Sequence, residues 1–94
     1  MSPMSTTENG RGLSPENANL MVDGLRLLRA KAELRGETMK LSRIEAFSWT
    51  EPGSLVGIEA VELLLEERDA DFRRTGIGAG EVVRIETLLE ELRA

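Results

Sequence analysis

The residues best suited to chemistry in this chain are acidic side chains that repeat along one segment of its second half. They are spaced three, four and three residues apart, so a helix would place all of them on one stripe. Carboxylates at this spacing can form an acid and base pair or bind a cation. No further ligands follow at a recognisable spacing. The pattern therefore predicts an acidic ridge, either solvated or docked on a basic partner, made of Glu59, Glu62, Glu66 and Asp69.

The composition excludes most familiar catalytic mechanisms. The 94 residues include no cysteine and no histidine, which removes thiolate nucleophiles, disulfides, the usual zinc sites and the best proton carrier near neutral pH. We therefore predict that the protein is not an enzyme and that it binds no metal and no cofactor. The sequence has no apolar run of about 18 residues and no visible secretory signal, so the expected compartment is the cytoplasm.

Two loop motifs that could bind ions fail on inspection. Gly76, Gly78 and Gly80 precede a helical pattern, but Glu81 follows where a phosphate-binding loop needs lysine. Asp69-Ala70-Asp71 opens like a calcium loop, yet Gly80 stands where the bidentate glutamate belongs. We interpret both segments as parts of an ordinary turn between two helices.

The stretch from Gly53 to Arg68 resembles the second helix of acyl carrier proteins in its Val61-Glu62-Leu63 run. In that alignment, Val56 and Gly57 occupy the positions of the aspartate and of the serine that carries the prosthetic group. Since the attachment residue is absent, the resemblance adds no cofactor, and we assign no family.

The elements that position these residues are all predicted to be helical. Ser14, followed by Pro15, is a helix start, and apolar residues then recur with helical spacing to about residue 35. A second apolar row, spaced by seven, widens the face of this helix. It consists of Leu20, Leu27 and Leu34. Gly24 lies inside the helix and is either tolerated or a point of close helix contact.

Two further helices are expected at 54 to 73 and 81 to 93, separated by the glycine-rich loop. The segment 38 to 49 suits either a short helix near 40 to 48 or a strand, and we favour the helix. Residues 1 to 13 are polar and rich in glycine and are predicted to form a disordered tail. The expected fold is all-α: a small bundle of three main helices plus one short element, in a single domain over residues 14 to 94.

Charge is divided unevenly along the chain. Residues 15 to 49 carry six basic and five acidic groups, whereas residues 50 to 94 carry five basic and eleven acidic groups. The basic cluster lies within residues 26 to 43 and consists of Arg26, Arg29, Lys31, Arg35, Lys40 and Arg43. It could contact nucleic acid, although a net charge of −5 opposes this, or it could pair with the acidic half within or between subunits.

Trp49 is the single tryptophan and stands next to a predicted helix start, where it either covers the core or anchors a partner. Taken together, these patterns predict a non-enzymatic protein-protein interaction module, a small acidic adaptor or a subunit of a larger bacterial or phage assembly. Because so small a core often gains stability by association, a homo-oligomer is expected. The alternative is a helix-turn-helix DNA-binding regulator that uses the basic cluster.

Overall fold

The computed structural model describes residues 12–94, and within this range the protein is all-α, as predicted. The helices are α1 (Pro15–Leu34), α2 (Thr38–Glu45), α3 (Leu55–Thr75) and α4 (Ala79–Arg93). The ambiguous segment is therefore helical, and the described residues include no strand. Three long helices and one short helix match the expected architecture.

Side chains at the starts of α1 and α3 cap them. The Ser14 hydroxyl accepts a hydrogen bond from the backbone N–H of Asn17 at 3.1 Å, and the Ser54 hydroxyl accepts one from Gly57 at 3.3 Å. Each bond satisfies a backbone donor that has no partner within the helix. The sequence predicts a helix from residue 54, and in the structure Ser54 is the N-cap and Leu55 the first residue of α3.

The last helix begins earlier than predicted. Gly78 is the N-cap, with a φ of 103°, and the helix starts at Ala79 and includes Gly80, whereas the sequence predicted a start at Glu81. Val82 donates its backbone N–H to the carbonyl of Gly78 at 3.1 Å, which closes the first turn. Val82 is also buried. Packing of this turn outweighs the low helix propensity of one glycine.

Helix α3 lies at the centre of the fold and packs against both α1 and α4, while α2 packs against α1. The core is aliphatic because the chain has few aromatic residues. Its largest fully buried side chains are Met21, Val61, Leu64, Ile85 and Leu88. Leu13, which the sequence assigned to the tail, packs partly buried against this core. The remaining tail residues, 1–11, lie outside the described part of the chain.

Gly24 is a point of close helix contact. A Cβ atom built at this position would lie 2.6 Å from the carbonyl oxygen of Ala60, on the facing surface of α3. Real side chains do not make contacts of this length. Glycine is therefore required for α1 and α3 to approach as closely as they do.

A cluster of ionic contacts around Arg68 ties three helices together. The Arg68 guanidinium lies 3.5 Å from Asp23 of α1, 2.6 Å from Glu67 of its own helix and 3.2 Å from Glu81 of α4. Its side chain is 25% exposed. Arg68 therefore reduces the repulsion among three carboxylates at the junction of the long helices.

Among residues 12–94, no helix has both the length and the apolar character that crossing a membrane requires.

Candidate protein-docking surface

The predicted acidic ridge exists on α3, but most of its carboxylates are already paired with cations. Lys40 of α2 donates from Nζ to Glu59 Oε2 at 2.6 Å, and this hydrogen bond raises the pKa of Lys40 above its ordinary value. Arg93 of α4 pairs with Glu62. The ridge is thus held between α2 and α4 and is less negative than its sequence suggests.

The other two members of the ridge differ from each other. Arg73 lies one turn further along α3 and donates from Nε to Asp69 at 2.9 Å. Glu66 is exposed and makes no ion pair with any residue in the range 12–94. Glu66 is therefore the ridge carboxylate with the most freedom to meet a charge on another molecule.

The predicted apolar row of α1 runs from the core to the surface. Leu20 is 6% exposed and belongs to the core, so it is not available to a partner in this fold. Leu27 is partly buried and packs against the core cluster. Leu34, at the end of the helix, is 89% exposed. The face offered to a partner therefore starts at Leu27 and not at Leu20.

Trp49 is half covered. Its ring meets that of Phe47 edge to face, with centroids 5.2 Å apart, and 45% of the residue is exposed. Phe47 itself packs against the core cluster. Trp49 thus covers an edge of the core on one side and faces solvent on the other, and it lies outside the groove described next.

Two adjoining cavities form one groove between α1 and α3, which we call the docking groove. Their volumes are about 200 and 400 Å³, and both are lined by Lys31, Leu63 and Glu66. Leu27 and Ala70 also line the larger cavity, which is open to solvent, and give it an apolar floor. The smaller cavity extends the groove towards Arg35 and α2.

The two walls of the docking groove carry opposite charges. Helix α1 contributes the basic Lys31, and the loop after it contributes Arg35 and Glu37; neither Lys31 nor Arg35 makes an ion pair with the described residues. All charged residues that α3 contributes are acidic, and they are Glu59, Glu62, Glu66 and Glu67. An apolar floor between a basic and an acidic wall is suited to the binding of a protein surface.

Sequence reasoning found part of this groove and missed part. It named Leu27 and three residues of the acidic wall, Glu59, Glu62 and Glu66, because they follow helical spacing within one segment. It missed the role of Leu63 and Ala70 in the floor and of Lys31 in the facing wall. These residues lie three or four positions from the named ones, so helical spacing could have placed them on the same faces. Which faces of α1 and α3 meet is decided by tertiary packing, which spacing within one helix does not show.

The basic cluster is not one continuous positive surface. Arg29 pairs with Glu33 at 3.6 Å, and Lys40 pairs with Glu59. Arg26 and Arg43 are exposed, and each lies outside the docking groove. The cluster is therefore divided between internal pairs, the wall of the groove and isolated surface positions.

No group of three or more acidic side chains within residues 12–94 is arranged to hold a metal ion. Comparisons of the chain with protein-family models, with curated proteins and with solved structures give no match.

Proposed function

We propose that this protein is a non-enzymatic interaction module, an adaptor or assembly subunit, whose docking groove between α1 and α3 binds another protein chain. The observation that carries the proposal is the combination of an apolar floor with unpaired charges of opposite sign on its rim. Lys31 and Arg35 on one wall and Glu66 on the other make no ion pair among the described residues. The expected compartment is the cytoplasm.

The distribution of pairing supports this location over the rest of the acidic ridge. Glu59, Glu62 and Asp69 already have cationic partners within the chain. A cation of a partner that approached them would have to compete with those contacts. At Glu66 there is no such competition, and the apolar floor with Leu27 and Leu63 lies beside it.

DNA binding by the basic cluster receives less support. Phosphate binding gains from a concentrated positive face, whereas Arg29 and Lys40 are engaged by carboxylates. A salt-dependent mobility shift of duplex DNA in a gel, produced by the full chain, would favour this alternative. Changing Arg26 and Arg43 to glutamine would then have to abolish the shift.

Affinity capture of the full chain from its source cell tests the proposal. The test variant is Glu62→Lys with Glu66→Lys, which reverses two charges on the acidic wall. The matched control is Glu86→Lys with Glu90→Lys, which makes the same change at the same spacing on α4, where both residues are exposed and outside the groove. Circular dichroism and thermal melting establish that all forms fold.

We expect some chains to co-purify with both the wild type and the α4 control. Recovery of these chains with the α3 variant should be at least about tenfold lower, which corresponds to a loss of roughly 1.4 kcal/mol of binding free energy. An additional untagged copy of the protein counts as such a chain. Equal recovery with the folded α3 variant and the control would show that the groove is not a docking surface, and the proposal would be withdrawn.

A further inference from the structure

We infer that the docking groove binds a second copy of this chain and forms a two-fold symmetric dimer in which α1 of each copy lies across α3 of the other. This inference depends on the proposed function, because it names the partner of the same groove. It follows from the charges of the two walls, from the position of those charges along the groove and from the area of the α1 and α3 face that contains the groove.

The charge pattern of the groove is complementary to itself. A two-fold interface brings the same surface of both copies together, so every charge must find its complement within that surface. Of the charges that line this groove, Glu67 is held by Arg68, Glu59 by Lys40 and Glu62 by Arg93. The charges without a partner among the described residues are Lys31 on α1, Arg35 and Glu37 in the loop after it, and Glu66 on α3. A two-fold axis along the groove places each basic wall opposite the acidic wall of the other copy.

The position of the charges along the groove matches this axis. Rotation about an axis parallel to the groove exchanges its walls but does not move a residue along its length. Lys31 and Glu66 line both cavities and therefore lie at the same level on opposite walls. Lys31 of one copy then faces Glu66 of the other, with Leu27, Leu63 and Ala70 from both copies forming an apolar seam between the charged rims.

The available area is sufficient for a stable dimer. Helices α1 and α3 contain 20 and 21 residues, so each is about 30 Å long. Two helices side by side present a face about 20 Å wide, so the full outer face of α1 and α3 measures roughly 600 Å² per copy. The groove occupies about half of the length of this face, and the contact between copies extends beyond it along both helices. A specific interface needs about 1,000 Å² in total, or about 500 Å² from each side. The resulting assembly is a four-helix arrangement with an enclosed apolar seam.

The alternative two-fold axis, perpendicular to the helices, fits the charges less well. It would place α1 on α1 and α3 on α3, so that Lys31 would approach the basic wall of the other copy and the unpaired Glu66 would approach its acidic wall. Like charges opposite one another suppress association. The charge pattern therefore selects the axis along the groove.

Two complementary charge variants test the dimer. The acidic variant carries Lys31→Glu and Arg35→Glu, which leaves acidic groups on both walls. The basic variant carries Glu66→Lys and Glu67→Lys, which makes the middle of both walls basic. The full chain and the variants are measured alone and in an equimolar mixture by analytical ultracentrifugation, between about 1 and 100 µM, a range that covers micromolar affinities.

We expect the wild type to sediment at twice its 10.4 kDa chain mass, each variant alone to sediment as a monomer, and the mixture to form a dimer. Formation of this heterodimer also shows that both variants are folded. As a second variant, Lys31→Glu with Glu66→Lys exchanges the charges of the walls, keeps self-complementarity and should remain a dimer.

A wild-type monomer throughout this range would overturn the inference, and so would a wild-type dimer that both charge variants leave intact. The proposed function fails by a different result. If the wild type is monomeric but the Glu62→Lys, Glu66→Lys variant still loses a different captured chain, only the dimer is refuted. If the capture shows no dependence on the groove, the docking function is refuted as well.

Discussion

A methyl group added at position 24 would lie 2.6 Å from the Ala60 carbonyl oxygen, whereas one added at position 80 would have no neighbour within 4 Å. We therefore expect opposite effects from the same substitution. Gly24→Ala should lower the free energy of unfolding by about 1–3 kcal/mol, because α1 and α3 must separate. Gly80→Ala should raise it by about 0.5–1 kcal/mol, because alanine favours the helix.

Urea unfolding measures both changes through the transition midpoint at constant slope. The pair serves as its own control, since both positions lie in helices and gain the same methyl group. A stabilising Gly24→Ala would show that α1 and α3 are not in close contact at this position.

Arg68 provides a second prediction at the scale of a single residue. Its removal leaves Asp23, Glu67 and Glu81 near one another without their common cation. Arg68→Met should therefore lower the free energy of unfolding by about 1–2 kcal/mol, and by less at high salt, which screens the remaining carboxylates. Arg73→Met is the control, because Arg73 is 78% exposed and has one partner, so its loss should cost less than about 0.5 kcal/mol.

Chemical denaturation at low and high ionic strength measures both variants. Equal losses for Arg68→Met and Arg73→Met would mean that the junction of the three helices does not depend on the Arg68 cluster.

At the scale of the elements, α2 is the short helix whose Lys40 bonds to the acidic ridge on α3. The hydrogen bond to Glu59 raises the pKa of Lys40, so the folded state holds this proton more tightly than the unfolded state. The stabilisation of the folded state by this hydrogen bond is complete at pH values below the unfolded lysine pKa of about 10.4. It is lost as the pH rises through the raised pKa of Lys40 in the folded state.

Lys40→Met should therefore lower the melting temperature by the same amount anywhere between about pH 6 and pH 9. The difference from the wild type should shrink only above about pH 10.4. Thermal melts of both proteins across this range measure the difference. A difference that disappears near neutral pH would assign the effect to a group other than Lys40.

The sequence predicted the elements well where local signals were strong and less well where tertiary packing decided. Ser14 followed by Pro15 marks the start of α1 without reference to any other helix. The start of α4 was placed too late, because the glycines lower helix propensity whereas burial of Val82 extends the helix to Ala79. The segment around Thr38 had both helical and strand spacing, and it forms the helix α2.

The candidate site was predictable in part for the same reason. Spacing within α3 is a property of one helix, so the acidic ridge could be found from the sequence. The partners of its carboxylates come from α2 and α4, and the facing basic wall comes from α1. Those contacts depend on how the helices pack. The burial of Leu20 depends on the same packing.

At the scale of the whole molecule, we expect the dimerisation that we infer through the groove to depend on salt. The rim pairs that we infer between copies are at the surface, and their attraction is screened over about 10 Å at 0.1 M salt. The dimer dissociation constant should therefore increase as salt rises from about 0.05 to 0.5 M, while the apolar seam retains part of the affinity. Sedimentation equilibrium at several salt concentrations measures this dependence. A dimer dissociation constant that does not change with salt concentration would contradict the pairing of the charged walls.

The central claim is that another protein chain docks in the groove between α1 and α3, and photo-crosslinking in the source cell tests it most directly. A photoreactive residue replaces Ala70, an exposed uncharged residue that lines the groove, in one version of the full chain and the exposed Glu86 on α4 in another. We predict that position 70 yields a defined product heavier than the 10.4 kDa chain and that position 86 does not. A folded protein that crosslinks at neither position, or only at position 86, would contradict the claim.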